Sequence, residues 1–128
     1  LHQRASRWYE GHDLAEEASF AGTALVCAVN NAPVASYPSQ YAAVLSVAAH
    51  AGAPDAFFYN PAPPVEFGAP GIEVEVAWRG GGSLSATGNS FAAPYIAGLA
   101  ALILSKHPGL TPFQLKTVLH AVADNARE

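Results

Sequence analysis

Charge is scarce in this sequence: only 12% of its 128 residues are Asp, Glu, Lys or Arg, about half the usual share. Its six cationic side chains are scattered and form no basic stripe, which argues against nucleic acid as a partner. The single cysteine, Cys27, excludes an internal disulfide framework and a zinc site built on cysteines. No apolar run is long enough to span a membrane, so we expect no membrane partner.

Apolar residues, by contrast, make up 51% of the chain. This share excludes intrinsic disorder, which needs low hydrophobicity and high charge. The length suits one domain with a sizeable core. Because so few charged groups are present to cover that core, we expect either a large partner surface or a chain that belongs to a larger unit.

Two apolar runs predict the centre of the fold. Residues 24–29 and 44–49 are almost free of polar side chains, which is typical of strands in a parallel sheet covered by helices on both faces. Residues 50–71 hold five of the ten prolines and predict an irregular loop, with a short strand at best over 57–59. Apolar and polar side chains alternate over residues 72–78, and three glycines then separate this segment from residues 83–86. Residues 72–86 therefore predict a half-exposed hairpin.

Three helices are predicted around these strands. The first lies within residues 1–21 and ends at Gly22, and the third follows a capping box over residues 111–114. The second covers residues 90–106, is apolar all round and is therefore expected to be buried, with Pro94 in its first turn. The predicted buried faces of the other two consist of Leu14, Ala15 and Ala18, and of Leu115, Val118, Leu119 and Val122.

The sharpest chemical feature is the segment from Gly88 to Gly98, in which Ser90 lies where a glycine-containing loop enters the second helix. The dipole and the free amides of a helix start favour negative charge, which suits a serine whose attack creates an oxyanion. A glycine beside it lets a substrate backbone come close. The alternative is that Ser90 is an ordinary helix N-cap, a frequent role of serine.

This segment resembles the active-serine segment of the subtilisin-like serine proteases, the subtilases. Their pattern is Gly-Thr-Ser, any residue, Ala or Ser, any residue, Pro, and then a small residue and Gly. The chain departs from it at Asn89, where a short polar residue replaces Thr and is expected to change little. It matches the pattern at Gly88, Ser90, Ala92, Pro94, Ala97 and Gly98. The resemblance implies that Ser90 is the nucleophile of a peptide-hydrolysing enzyme, and that the fold is part of a three-layer α/β parallel sheet with a buried central helix.

The resemblance also implies an oxyanion-binding asparagine at the end of the first strand. That residue donates its side-chain amide to the oxyanion together with the backbone amide of Ser90. Asn30 is preferred, because the apolar strand runs straight into it and a polar residue follows; Asn31 remains the alternative register. Taken alone, the pair is an ordinary turn after a strand.

Two further segments agree with the family in order. Residues 37–48 resemble its Tyr-Pro loop and the following strand, and residues 67–71 match its Ala-Pro-Gly turn, so the resemblance runs from about residue 22 to residue 122. Some subtilases bind a cation through backbone carbonyls near the Tyr-Pro loop. Carbonyl ligands leave no sequence signature, so we predict neither a metal nor another cofactor.

The family's catalytic Asp and His have no match in the chain. His12 and Asp13 lie in the first helix without the surrounding family motifs and are expected to be solvated, and His50, His107 and His120 follow strand or helix ends. We therefore expect residues 1–128 to be the C-terminal portion of a subtilase-like catalytic domain, inactive alone, whose partners are a protein or peptide substrate and the N-terminal half of the same domain. The sequence does not determine the compartment: secretion is usual in the family that the chain resembles, but no signal-peptide pattern opens the chain.

Two alternatives remain. A non-catalytic interaction module could have kept the subtilase scaffold, although the retention of Ser90 and Asn30 argues against it. A small esterase could use His50 or His12 as its base, but the nucleophile elbow of such enzymes is Gly-x-Ser-x-Gly, and the second Gly is Ala92 here.

Overall fold

A four-stranded sheet with helices on both faces forms the body of the protein, for which a computed structural model describes residues 2–32, 35–62 and 64–126. The elements in chain order are α1 (His2–Phe20), β1 (Leu25–Ala28), β2 (Val44–His50), β3 (Phe58–Tyr59), β4 (Phe67–Pro70), β5 (Val74–Ala77), β6 (Ser83–Ala86), α2 (Asn89–Lys106) and α3 (Pro112–Val122).

The sheet has the strand order β1-β2-β4-β3. Strands β1, β2 and β4 are parallel, with Leu25 opposite Val44 and Val47 opposite Phe67, and β3 runs antiparallel to β4. The predicted parallel sheet is therefore confirmed, with β1 at its edge. Strands β5 and β6 pair as a separate antiparallel hairpin, also as predicted.

Strand β4 was not predicted, and the assignment of residues 50–71 to an irregular loop is wrong there. The strand lies between β2 and β3, and its Phe67 is fully buried. Pro70 is the last residue of the strand, opposite His50, where a missing amide donor breaks no inner rung of the ladder. Four residues among so many prolines carry too little pattern to be recognised as a strand.

Alternate side chains of β2 enter two different cores, which makes the architecture three-layered. On one face Leu45 and Val47 pack with α2 and α3, in a cluster that contains Ile96 and Leu115. On the other face Val44 packs with residues of α1 and the loop before β2, in a cluster with Ala15, Tyr41 and Ala43.

The predicted helices are confirmed, with corrections at their faces. Leu14 and Val122 were expected in the core but are 65% and 58% exposed. The capping box before α3 is present in full: Gln114 N–H donates to Thr111 Oγ1, and Thr111 N–H donates to Gln114 Oε1. Gly22 follows α1 with a φ of 86°, a conformation that suits glycine at a helix end.

Helix α2 is covered on its inner face by the sheet, where Ala92, Ile96 and Ala100 are buried. Its outer residues Ala97 and Leu102 are exposed in this chain, so only part of the expected burial is supplied here. Across the described ranges, none of the helices is both long enough and apolar enough to cross a membrane.

Candidate active site

Ser90 is the second residue of α2 and is exposed. The N-cap is Gly88, which provides no side-chain cap, so the alternative that Ser90 caps the helix is wrong. Within the part of the chain that the structure describes, neither the hydroxyl nor the backbone N–H of Ser90 makes a hydrogen bond. Both groups are therefore open to a substrate.

Close packing at Gly71 positions the start of α2. The Gly88 N–H donates to the carbonyl oxygen of Gly71 at 2.9 Å, which joins the residue after β4 to the residue before the helix. A β-carbon on Gly71 would lie 2.7 Å from Ala49 Cβ and 2.9 Å from both Ala92 Cβ and the Gly88 carbonyl oxygen. Only glycine allows the sheet and the helix to approach this closely.

The electrostatic environment of Ser90 favours a developing negative charge. The first turn of α2 contains no acidic residue. The sequence predicts Pro94 in the first turn of the helix, but it is the sixth residue of α2. Because proline has no N–H, the Ser90 carbonyl oxygen four residues earlier lacks its helical donor. The first amides of the helix point outward at the positive end of its dipole.

Asn31 lies beside Ser90. Its Oδ1 accepts a 2.9 Å hydrogen bond from the backbone N–H of Asn89. Because a backbone N–H can only donate, the Nδ2 of Asn31 must face away from it and is available as a donor. A β-carbon on Gly88 would lie 3.6 Å from Ser90 Oγ and 3.7 Å from Asn31 Oδ1, so both side chains are on the same side of Gly88.

Asn30 has a different set of contacts. Its Oδ1 accepts from the Ala32 N–H at 3.0 Å, and its own N–H donates to Ser36 Oγ at 3.3 Å, so its side chain folds back on its own loop. It also lines a cavity of about 330 Å³ next to Ser39. Among the described residues, the side chain of Asn31 thus bonds the start of α2, whereas Asn30 contacts it through its carbonyl oxygen.

Asn89 is a functional candidate that the sequence argument missed. Its Oδ1 accepts from the Ala49 N–H at 2.8 Å, and its Nδ2 donates to the carbonyl oxygens of Val29 at 3.2 Å and Asn30 at 3.1 Å. The side chain thus joins the ends of β1 and β2 to α2. The signal was the departure from the family's Thr, which was expected to change little.

The histidines that the esterase alternative requires are engaged elsewhere. His50 Nδ1 accepts from the Gly52 N–H, and its Nε2 faces the Ala56 carbonyl oxygen, both at 2.8 Å, so both ring nitrogens are used. His12 was expected to be solvated, but its ring stacks on Trp8 at a centroid distance of 5.1 Å. Its neighbour Asp13 is 78% exposed, as expected.

Two further histidines lie at helix ends. His107 caps the C-terminus of α2, and His120 lies in the last turn of α3 with its ring against Tyr59. Burial raises the pKa of the Cys27 thiol, which disfavours the reactive thiolate form. Among the described residues, His12, Asp13 and Glu16 bring possible metal ligands within 4.8 Å of one another, but an exposed acidic group of this kind assigns no metal.

Comparisons with known proteins identify relatives of the chain. The chain is 35% identical over 109 residues to a thermostable alkaline protease of Halalkalibacterium halodurans, covering 83% of the chain and 30% of that protein. It is 41% identical over 107 residues to the halolysin-like extracellular serine protease Nep of Natrialba magadii, covering 80% of the chain and 19% of that protein. It therefore spans less than a third of either relative.

Solved structures show the same fold. Sphericase superposes with a TM-score of 0.69 at 24% identity, and the match covers 84% of this chain and 42% of the sphericase chain. A cold-adapted subtilisin-like serine proteinase superposes with a TM-score of 0.66 at 25% identity, over 88% of this chain and 44% of its own. The sequence model of the subtilase family matches residues 3–128. The chain therefore belongs to the subtilase family.

Proposed function

We propose that this chain carries the nucleophile and the oxyanion site of a subtilisin-like serine endopeptidase. The observation that carries the proposal is the state of Ser90: it is exposed in the first turn of α2, and within the described residues its hydroxyl and N–H are free of hydrogen bonds. The side chain of Asn31 bonds the N–H of the preceding residue, Asn89, and lies on the same side of Gly88 as the Ser90 hydroxyl.

In the proposed reaction Ser90 Oγ attacks the carbonyl carbon of a peptide bond while a histidine base takes the hydroxyl proton. The carbonyl oxygen becomes an oxyanion, which accepts hydrogen bonds from the Ser90 N–H and from Asn31 Nδ2. The C–N bond then breaks, the amine leaves with the proton held by the base, and the acyl group stays on Ser90. Water, deprotonated by the same base, hydrolyses this ester. Asn30 is the alternative oxyanion donor.

The base and its carboxylate partner are proposed to come from the N-terminal portion of the same domain, outside residues 1–128. Two surfaces suit such a portion. Strand β1 has a free edge, and the outer face of α2, with Ala97 and Leu102, is apolar and exposed among the described residues. Alone, the chain would lack a positioned base, since a serine hydroxyl is a weak nucleophile at neutral pH.

The test uses the protein expressed from its complete coding sequence. Wild type should hydrolyse casein and react with a fluorophosphonate probe, and Ser90→Ala should do neither. Ser105→Ala is the matched control, because Ser105 is another exposed serine of α2 but its hydroxyl bonds the Leu102 carbonyl oxygen. Unaltered hydrolysis by Ser90→Ala would contradict the proposal. A folded wild type that neither hydrolyses nor reacts would favour the non-catalytic module.

A further inference from the structure

Asn89 occupies the position at which a ladder hydrogen bond between β1 and β2 would otherwise form. In the parallel register Ala28 lies opposite Val47, and the Val29 N–H still donates to the Val47 carbonyl oxygen at 2.9 Å. The next rung of such a ladder would join the Ala49 N–H to the Val29 carbonyl oxygen. Instead, both groups bond to the side-chain amide of Asn89.

The chemistry of these partners requires an amide. The Ala49 N–H needs an acceptor, and the carbonyl oxygens of Val29 and Asn30 need donors, so only Oδ1 toward Ala49 and Nδ2 toward the carbonyls satisfies all three. A carboxylate would keep the acceptor but would set an oxygen against the two carbonyl oxygens. A methyl group would leave all three groups without this partner.

The main chain of Asn89 completes the link. Its N–H donates to Asn31 Oδ1, while its side chain holds the carbonyl oxygen of the residue before, Asn30. The residue that directly precedes Ser90 thus holds the carbonyl oxygen of the peptide group between Asn30 and Asn31 as well as the side chain of Asn31. An oxyanion donor must lie within about 2.7–3.1 Å of the developing charge, so its placement decides its value.

We propose that Asn89 is a positioning residue of the active site, whose side-chain amide separates the ends of β1 and β2 and holds Asn31 in register with Ser90. This inference rests on the proposed function for its effect on catalysis. Its effect on the order of the Asn31 side chain does not depend on that function.

The kinetic test uses the protein from the complete coding sequence. Asn89→Ala should lower kcat about tenfold to a hundredfold and leave KM within about twofold, because misplacement of a transition-state donor by about 1 Å costs this much without weakening ground-state binding. In an Asn31→Ala background the same change should alter kcat by no more than about twofold, since it acts through Asn31. If the loss of kcat in the double variant equals the product of the losses in the two single variants, the proposal is overturned.

Two further variants separate positioning from general stability. Asn89→Asp preserves the shape and the bond from the Ala49 N–H, and should still lower kcat because its donor is lost. Asn125→Ala is the matched control. The Asn125 side chain also bonds a strand, accepting from the Tyr59 N–H and donating to the Tyr59 carbonyl oxygen, but that strand, β3, is at the edge of the sheet opposite β1. It should lower stability and leave kcat unchanged. Full activity of Asn89→Asp would overturn the proposal.

An NMR measurement decides the structural part without activity. In ¹⁵N-labelled protein, the side-chain NH₂ of Asn31 should give an ordered signal in wild type and in Asn125→Ala, and a mobile one in Asn89→Ala and Asn89→Asp. An ordered Asn31 signal in both Asn89 variants would overturn the proposal. Absence of hydrolysis by wild type, with this pattern retained, would instead count against the proposed function alone.

Discussion

The backbone N–H of Asn89 donates to the side-chain Oδ1 of Asn31 at 2.9 Å, across 58 residues of sequence. This bond turns the Asn31 Nδ2 away from the Asn89 N–H, and the Asn31 side chain lies on the same side of Gly88 as the Ser90 hydroxyl. It joins the loop after β1 to the first turn of α2. The candidate oxyanion site is therefore assembled from two distant segments, which this bond and the Asn89 side-chain bonds to Val29 and Asn30 hold together.

Replacement of the two asparagines should distinguish the possible oxyanion donors. Asn31→Ala should lower kcat about 10²–10³-fold with little change in KM, because an oxyanion donor acts in the transition state; this magnitude is itself taken from a subtilisin. Asn30→Ala should have a smaller effect, since its side chain bonds the Ala32 N–H of its own loop. Steady-state kinetics of both variants of the complete protein measure this. A larger loss in Asn30→Ala would restore the register preferred from the sequence.

Gly71→Ala should destabilise the fold by about 1–3 kcal/mol through overpacking. The added β-carbon would meet Ala49, Ala92 and the carbonyl oxygen of Gly88, so the relief would also displace the residues next to Ser90. Gly82→Ala is the control, because a β-carbon there meets nothing within 4 Å, and it should change the free energy of unfolding by less than about 0.5–1 kcal/mol. Urea melts of both variants measure the difference, and equal midpoints would contradict it.

Lys116→Met should lower the free energy of unfolding by about 0.5–1.5 kcal/mol, because its partners are reached by water and the contact is a partly exposed ion pair with one added hydrogen bond. The Lys116 side chain is 15% exposed, and its ammonium donates to Glu66 Oε1 at 2.7 Å and to the Ala42 carbonyl oxygen at 2.6 Å. It thereby ties α3 to the segments that precede β4 and β2. Lys106→Met serves as the control in the same urea melts, because Lys106 is exposed at the end of α2. Equal losses in both variants would show that the contact with Glu66 contributes nothing.

The isolated 128-residue chain should self-associate and should not cleave casein. The free edge of β1 exposes unpaired backbone groups, and the outer face of α2 exposes apolar side chains. Both favour contact with another copy of the chain, and a charged share of 12% gives little repulsion between copies. Size-exclusion chromatography with light scattering and a urea melt test this. A monomer with a single sharp transition would show that the chain closes its own core, and would favour the non-catalytic module.

Features that depend on a few neighbouring residues were predictable from the sequence. The capping box of Thr111 and Gln114 and the hairpin over residues 72–86 are both present, because their hydrogen bonds join residues close in the chain. The two apolar strands were also recognisable, since burial on both faces of a parallel sheet demands uninterrupted apolar side chains. Ser90 could be located at a helix start for the same local reason.

Features that depend on how distant segments meet were not predictable. Leu14 and Val122 have helical spacing, yet they are exposed, because which flank of an apolar face is covered depends on the neighbouring elements. Strand β4 exists because β2 and β3 flank it, not because its four residues form a strong strand pattern.

The active-site residues divide in the same way. The sequence by itself determined that a serine begins an apolar helix and that a pair of asparagines ends an apolar strand. Only the tertiary structure decided which asparagine side chain bonds the start of α2, and that Asn89 bridges β1, β2 and α2. The physical reason is that a one-residue change of register reverses the direction of a side chain, and only the contacts made after folding distinguish the two directions.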